Sequence, residues 1–186
     1  MDGHHLILGE TTDFTTGETI QDTHDERYRQ NIARLLVNVK LYNKTDIKPR
    51  HELLVKAGEK KAIIRVDFLI TMENRICMII KYGPGSITTR HRPALAASRL
   101  VAPYQIPVVV VTNGEDADVL DGSTGKIISN GLYAIPLKPE LWKRSGKLVF
   151  SEIPEKKTEA ESRILYAYEV DGSCPCDDTI CRIEPE

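Results

Sequence analysis

Residues 63–82 read IIRVDFLITMENRICMIIKY, and this stretch decides the fold. It holds two apolar runs rich in β-branched residues, Ile63–Ile70 and Ile76–Tyr82, on either side of a turn at Asn74. Runs of this length and composition predict strands, and the short turn predicts that the strands pair antiparallel. A further strand is expected just before them, at Glu52–Lys56, so the stretch predicts an antiparallel meander.

Two ionisable residues interrupt the apolar runs, Asp67 in the first and Lys81 in the second. Because side chains alternate along a strand, Asp67 shares a face with Arg65, and Lys81 shares a face with Ile79. Pairing of the strands can therefore bring Asp67 and Lys81 onto one side of the sheet. A carboxylate can bind Mg²⁺, and a lysine can orient a water molecule or neutralise a phosphate. The pair is thus a candidate catalytic site, although the same residues also fit an ordinary charged surface.

Helix and strand patterns surround the meander. Thr23 and Glu26 form a capping box, and the apolar stripe that follows predicts a helix ending near residues 40–43. A second helix is predicted at Arg92–Val101, with a proline in its first turn. The run Val108–Val111 predicts a strand buried on both faces. Because a helix precedes it, this strand is expected to lie parallel to its neighbour.

Smaller elements are predicted in the last third of the chain: a hairpin at Ala117–Asp121 and Lys126–Ser129, a strand at Leu148–Ile153 and a helix at Glu155–Val170. Together the patterns predict an α/β fold with a central mixed sheet flanked by helices. The expected division is an N-terminal segment 1–22, a core 23–135, a C-terminal strand and helix extension 136–170, and an acidic, cysteine-containing, mobile tail 171–186.

Composition limits the classes of function. The 186 residues suit one domain with short appendages, and the net charge of −2 excludes a global basic field. Any nucleic-acid site must then be a local basic patch. No apolar run approaches a membrane span and the N-terminus does not resemble a signal peptide, so we expect a cytoplasmic protein without a membrane partner.

The four cysteines divide into one core residue and a C-terminal cluster. Cys77 lies in an apolar strand and is expected to be buried. Cys174, Cys176 and Cys181 lack the usual C-x-x-C spacing of a zinc site. An unstructured, thiol-bearing tail is therefore favoured over a metal site.

Several motifs, taken in order, resemble the N-terminal domain of type I restriction enzyme R subunits, a family of the PD-(D/E)xK nuclease superfamily. They are Asp13-Phe14-Thr15-Thr16-Gly17, Thr23-x-x-Glu26-Arg27-x-Arg29-Gln30, Ala33-Arg34-Leu35-Leu36, Arg65-Val66-Asp67-Phe68-Leu69-Ile70 and Val110-Val111-Thr112-Asn113-Gly114-Glu115. The resemblance extends over residues 13–130. It implies a restriction-endonuclease-like fold and Mg²⁺-dependent cleavage of DNA.

The resemblance also assigns roles to residues. Asp67 matches the metal-binding aspartate, Lys81 matches the lysine of the E-x-K element, and Glu26 matches an acid on the first helix that can join the metal site. This makes Asp67, Lys81 and Glu26 the catalytic candidates and Asp67 and Glu26 the metal ligands, with Arg65 contacting phosphate. The chain departs from the family where Ile79 replaces the E-x-K glutamate, and its second helix lacks the glutamine that often helps to position DNA.

The replacement at position 79 leaves several functions open. Isoleucine cannot coordinate a metal, and one carboxylate holds a divalent ion poorly. Glu26 or Glu52 could supply the missing ligand, which would preserve a metal-dependent endonuclease. The alternative is a non-catalytic nucleic-acid-binding or assembly module that keeps the nuclease fold. A third option is a structural domain that forms a homodimer through its C-terminal helix.

DNA is the expected partner in the first two options, and basic residues are the expected contacts. The preferred candidates share a position near the predicted site; they are Arg65, Lys61, Arg90, Arg92 and Arg99. With their basic neighbours they could form one face, or they could be scattered over a solvated surface.

Overall fold

The computed structural model describes residues 6–145, 148–173 and 180–183. Its strands are β1 Gly9–Thr12, β2 Thr19–Asp22, β3 Ile47–Ala57, β4 Lys60–Met72, β5 Arg75–Tyr82, β6 Val108–Thr112, β7 Ala117–Asp121, β8 Ile127–Asn130 and β9 Cys181–Ile183. Its longer helices are α1 His24–Asn38, α2 His91–Ala97, α3 Lys138–Ser145 and α4 Glu155–Tyr166, and a π-helical turn, Ala167–Asp171, continues α4.

Within these residues, a seven-stranded mixed sheet forms the centre, in the order β3-β4-β5-β6-β7-β8, with β9 pairing separately with β4. The meander β3-β4-β5 is antiparallel, and β5 and β6 are parallel, as the sequence predicts. The α2 crossover joins these parallel strands, and β7 and β8 form the predicted hairpin. β1 and β2 form a separate hairpin. The predicted α/β class, a mixed sheet flanked by helices, is confirmed.

The core has two layers, one on each face of the sheet. On one face, Ile32 and Leu36 of α1 pack with sheet residues such as Phe68 and Met78. On the other face, the alanines of α2 and Leu165 of α4 pack with a second set of apolar sheet residues. Because both faces are covered, β6 is buried along its whole length, which explains its unbroken β-branched sequence.

The alternation of β4 is interrupted at Asp67. Ile64 and Val66 pack on the α4 side, and a regular strand would place Phe68 with them, but Phe68 packs on the α1 side. The ladder between β3 and β4 skips Asp67 and the residue opposite it, Arg50, whose φ is +47°. A left-handed residue of this type bends the strand, so Asp67 lies at a bend.

The turn after β6 is structural, as its Asn-Gly sequence indicates. Asn113 accepts backbone hydrogen bonds from Glu115 and Asp116 through its side-chain oxygen. Gly114 has a φ of +90°, and a Cβ there would lie 2.3 Å from the Tyr28 ring. The turn therefore packs directly against α1.

Two expected elements differ in the structure. The second helix ends at Ala97, because Ser98 caps it and the chain then turns toward Pro103. The strand expected at Leu148–Ile153 was wrong; in the described residues it forms an isolated bridge between Glu152 and Tyr104. Its partner segment contains prolines, which lack the N–H groups that a ladder requires.

The described part of the acidic tail contains a strand. Its Cys181–Ile183 strand, β9, pairs antiparallel with Lys61–Ile63 of β4. Cys77 is buried as expected, and Cys181 is a free, exposed thiol. Cys174 and Cys176 lie outside the described residues, so the expectation for the cysteine cluster stays a prediction.

Candidate functional site

The strands β4 and β5, which carry Asp67 and Lys81, diverge beside these two residues. Their ladder begins at Phe68 and Ile80, so the earlier part of β4 runs on without β5 as a partner. We call this divergence, bordered by Asp67 and Lys81, the fork. β9 pairs with β4 at the open end of the fork.

Asp67 makes an internal ion pair. Its side chain is buried; Oδ1 accepts a hydrogen bond from Arg29 Nε at 2.6 Å, and Oδ2 accepts one from the Tyr82 backbone N–H at 2.8 Å. Burial alone would lower the pKa of Arg29, but the Asp67 carboxylate raises it above its ordinary value. The guanidinium also lies 5.0 Å from the centre of the Tyr82 ring. Both carboxylate oxygens are thus engaged by the protein itself.

Glu26 lies on the same side of the sheet as Asp67. Thr23 caps α1 by accepting a hydrogen bond from the Glu26 backbone, which is one half of the predicted capping box. The Glu26 carboxylate accepts a hydrogen bond from Gln30 at 2.8 Å and lies 3.9 Å from Arg29. Arg29 therefore connects Glu26 and Asp67, two of the three catalytic candidates.

Lys81 is held in a different contact. Its Nζ donates to the Arg65 carbonyl at 3.2 Å and to Glu169 Oε2 at 3.1 Å. Glu169 belongs to the π-helical turn after α4, whereas Asp67 is bonded to α1. The structure therefore does not join Asp67 and Lys81 into one ion pair; each has its own partner from an opposite helix layer.

Position 79 holds an apolar side chain in place of an acid. Ile79 is fully buried and pairs in register with Leu69 and Val109. It packs in the core layer beneath α2 and α4. The apolar surroundings match the isoleucine, not a metal ligand.

These residues do not fit a Mg²⁺ ion in the arrangement observed. A divalent ion takes several oxygen ligands, and both oxygens of Asp67 already accept hydrogen bonds. In the part of the chain that the structure describes, no group of three or more His, Cys, Asp or Glu side chains is placed to hold a metal.

A second buried network lies beside Glu26 and was not anticipated from the sequence. Asp13 Oδ2 accepts hydrogen bonds from Arg50 at 2.7 Å and from Gln30 at 2.8 Å. Burial opposes the charge of Asp13, but hydrogen bonds from the Thr16 backbone and from Arg50 lower its pKa to about 2. Arg50 carries no periodic signal in the sequence, because its role depends on the bend opposite Asp67.

The low pKa of Asp13 predicts that the protein becomes less stable at acidic pH. Because its folded pKa lies below the ordinary value of 3.8, its contribution is present above pH 4 and is lost as pH falls toward 2. We expect the free energy of unfolding to lose about 2 kcal/mol over this range. Urea unfolding at pH 4.5, 3.5 and 2.5 measures it. An Asp13→Asn variant should show a flatter dependence, and equal slopes for both proteins would contradict the assignment.

A polar cavity of about 530 Å³ opens between the N-terminal hairpin, α1 and the β3–β4 strands. Its charged lining consists of Glu26, Glu52, Arg29, Arg50 and Arg65. The cavity thus collects the acids that could have replaced position 79, together with three guanidinium groups.

The predicted basic residues do not form one face. Arg92 and Arg99 both bind the buried Glu161 of α4, at 2.6 Å each, and so hold α2 against α4. Arg90 folds against Gly83 in the loop after β5. Lys61 and Arg65 are exposed on β4.

Lys61 has a basic partner across the strands. It lies opposite Lys56 in the β3–β4 register, and both side chains are exposed. Their neighbours Val55 and Ala62 pack into the core on the α4 side, so the lysines point to the uncovered face. We call Lys56, Lys61 and Arg65 the basic hairpin face. Among the described residues, none of the three forms an ion pair within 4.0 Å.

A comparison with protein families identifies the family of this chain. Residues 24–136, more than half of the chain, match the type I restriction enzyme R protein N terminus family. The element order and this match confirm the predicted restriction-endonuclease-like class. No curated protein matches the sequence at a significant level.

One solved structure is similar, that of the type IIG restriction endonuclease BpuSI. The similarity has a TM-score of 0.41 and 17% sequence identity, and it covers 81% of this chain and 17% of that chain. This chain therefore corresponds in length to a small part of that enzyme. Among the described residues, no helix has the length and apolar character needed to cross a membrane.

Proposed function

The chain belongs to the family of type I restriction enzyme R protein N termini, and on that premise we propose that it is a nucleic-acid-binding module that keeps the nuclease fold without cutting. DNA is the proposed partner, and the basic hairpin face is the proposed contact surface.

The observation that carries this proposal is the cross-strand pair Lys56–Lys61. Like charges directly opposite each other destabilise a sheet, so an exposed pair of this kind is best explained by an anionic partner. Arg65 lies on the same face of β4, four residues along the strand, where Glu52 is its partner in the register. Phosphates of a nucleic acid would neutralise all three charges and release counterions.

The proposal that this module does not cut rests on the contacts that the motif charges make. Asp67 is engaged by Arg29, Lys81 is engaged by Glu169, and Ile79 is buried in the core. Each charge has a protein partner, so neither is free to act on a phosphodiester.

The second candidate is a metal-dependent endonuclease, with Mg²⁺ on Asp67 and Glu26 and with Lys81 at the scissile phosphate. The observation that favours it is the presence of Glu26 and Glu52 in one cavity beside the partner of Asp67. This function would require the Arg29–Asp67 and Lys81–Glu169 pairs to open.

One experiment separates the two candidates. Fluorescence anisotropy with labelled duplex DNA is expected to show binding that weakens as salt rises, and plasmid DNA with Mg²⁺ or Mn²⁺ is expected to stay intact. Metal-dependent cleavage that is abolished by Asp67→Ala and by Lys81→Ala would establish the endonuclease instead. A lack of binding at low salt would reject the binding module.

A further inference from the structure

The partner of Lys81 comes from outside the part of the chain that matches the family. Glu169 lies in the π-helical turn Ala167–Asp171, beyond residues 24–136. Only 8% of the Lys81 side chain and 14% of the Glu169 side chain are exposed. The contact is therefore a largely buried ion pair, which demands close charge matching.

Among the described residues, the other acid that borders the fork, Asp67, is already paired. Asp67 is committed to Arg29 at 2.6 Å, and the adjacent position on the Lys81 face is the apolar Ile79. A buried ammonium group without a counter-charge is strongly unfavourable. With Glu169 present, the fork holds two cations, Arg29 and Lys81, and two anions, Asp67 and Glu169.

We propose that Glu169 takes the electrostatic place of the acid that is missing at position 79. A carboxylate supplied by the C-terminal extension neutralises Lys81 and closes the fork on the α4 side. Glu169 is thus a positioning residue that keeps Lys81 buried, and the extension is an integral part of the site. The proposal is independent of nucleic-acid binding and stands or falls on different measurements.

The extension is anchored on both sides of Glu169. Before it, Leu165 is fully buried, and after it Val170 is fully buried as well. Arg182 of β9 donates hydrogen bonds to the Val170 carbonyl at 2.8 Å and to Ser173 Oγ at 3.2 Å. β9 in turn pairs with β4 at the open end of the fork. These contacts fix the turn that presents Glu169 to Lys81.

A double-mutant cycle tests the pair in the full chain. Glu169→Gln and Lys81→Met are each expected to lower the thermal unfolding midpoint by roughly 10 °C, because each leaves one buried group without its partner. The thermal unfolding midpoint of the double variant should fall by much less than the sum of the decreases in the two single variants. Losses that simply add would overturn the proposal. Glu159→Gln, on the exposed side of α4, is the matched control and should leave the midpoint unchanged.

Chemical labelling gives a readout that a merely local stabilising role would not move. With a small acylating reagent and mass spectrometry, Lys81 in the unaltered protein should react at least about tenfold more slowly than the exposed Lys61. Glu169→Gln should increase the acylation rate of Lys81 by about tenfold, and the acylation rate of Lys61 should stay constant. Equal rates for the two lysines in the unaltered protein would overturn the proposal.

A third variant tests whether Glu169 replaces the acid that is missing at position 79: it places a glutamate at that position. Ile79 and Lys81 are two residues apart on one strand face, so Ile79→Glu in the Glu169→Gln background should restore slow labelling of Lys81. If this variant folds and its Lys81 stays fully reactive, the proposal that Glu169 takes the place of an acid at position 79 is contradicted. If that variant does not fold, the double-mutant cycle and the labelling of Glu169→Gln still decide the proposal.

Discussion

Replacement of Asp67 by alanine is expected to lower the free energy of unfolding by about 3–5 kcal/mol, the cost of leaving one member of a buried ion pair alone. Arg29 would lose its 2.6 Å hydrogen bond and keep a charge that it cannot release. The Tyr82 backbone N–H would also lose its acceptor at the end of β5. Urea unfolding at neutral pH measures the effect.

The sign of this change distinguishes two roles of the carboxylate. A carboxylate kept only for catalysis is often costly to the fold, and its removal then leaves stability unchanged or raises it. Unchanged or increased stability of Asp67→Ala would therefore contradict the structural role. The double variant Asp67→Leu with Arg29→Met removes both charges and should recover much of the loss. Asp22→Ala, which breaks an ion pair with the exposed Arg27, is the control and should change little.

Reversal of the three charges of the basic hairpin face is expected to weaken DNA binding by at least about 100-fold at low salt. The variant carries Lys56→Glu, Lys61→Glu and Arg65→Glu. The reversed face would repel the phosphates that the original face attracts, and the slope of log affinity against log salt should become shallower. Because the side chains are exposed, the fold should tolerate the change.

A matched control separates this surface from net charge. Lys156, Lys157 and Arg163 are exposed residues of α4, and their reversal changes the net charge by the same amount. This control should retain most of the affinity of the unaltered protein. If both triple variants lose binding equally, net charge and not the hairpin face governs the interaction.

Regular elements were predictable because they depend on local patterns. The meander, the parallel β6 and the capped start of α1 follow from periodicity, turn residues and capping chemistry. The errors occur where a distant partner decides the structure. The segment 148–153 has strand-like composition but meets a proline-containing loop, and the tail strand β9 forms because β4 offers an unpaired edge.

The sequence names candidate site residues, but it does not show which of them contact each other. The sequence motifs identify Asp67, Lys81 and Glu26 as candidates. The absence of an acid at position 79 is also evident from the sequence. Side-chain alternation suggested that Asp67 and Lys81 would share one side. The bend at Asp67 directs its carboxylate to Arg29, and Lys81 bonds instead to Glu169, which no local signal marks.

The family, the main strands and the absence of the motif glutamate can all be predicted from the sequence, because each is marked by residues that are neighbours within one strand or helix. The pairing of the buried charges depends on how the helices and the sheet pack together. Buried ions pair with groups that are close in space and not with groups that are close in the chain. Asp67 therefore pairs with Arg29, 38 residues away, and Lys81 pairs with Glu169, 88 residues away.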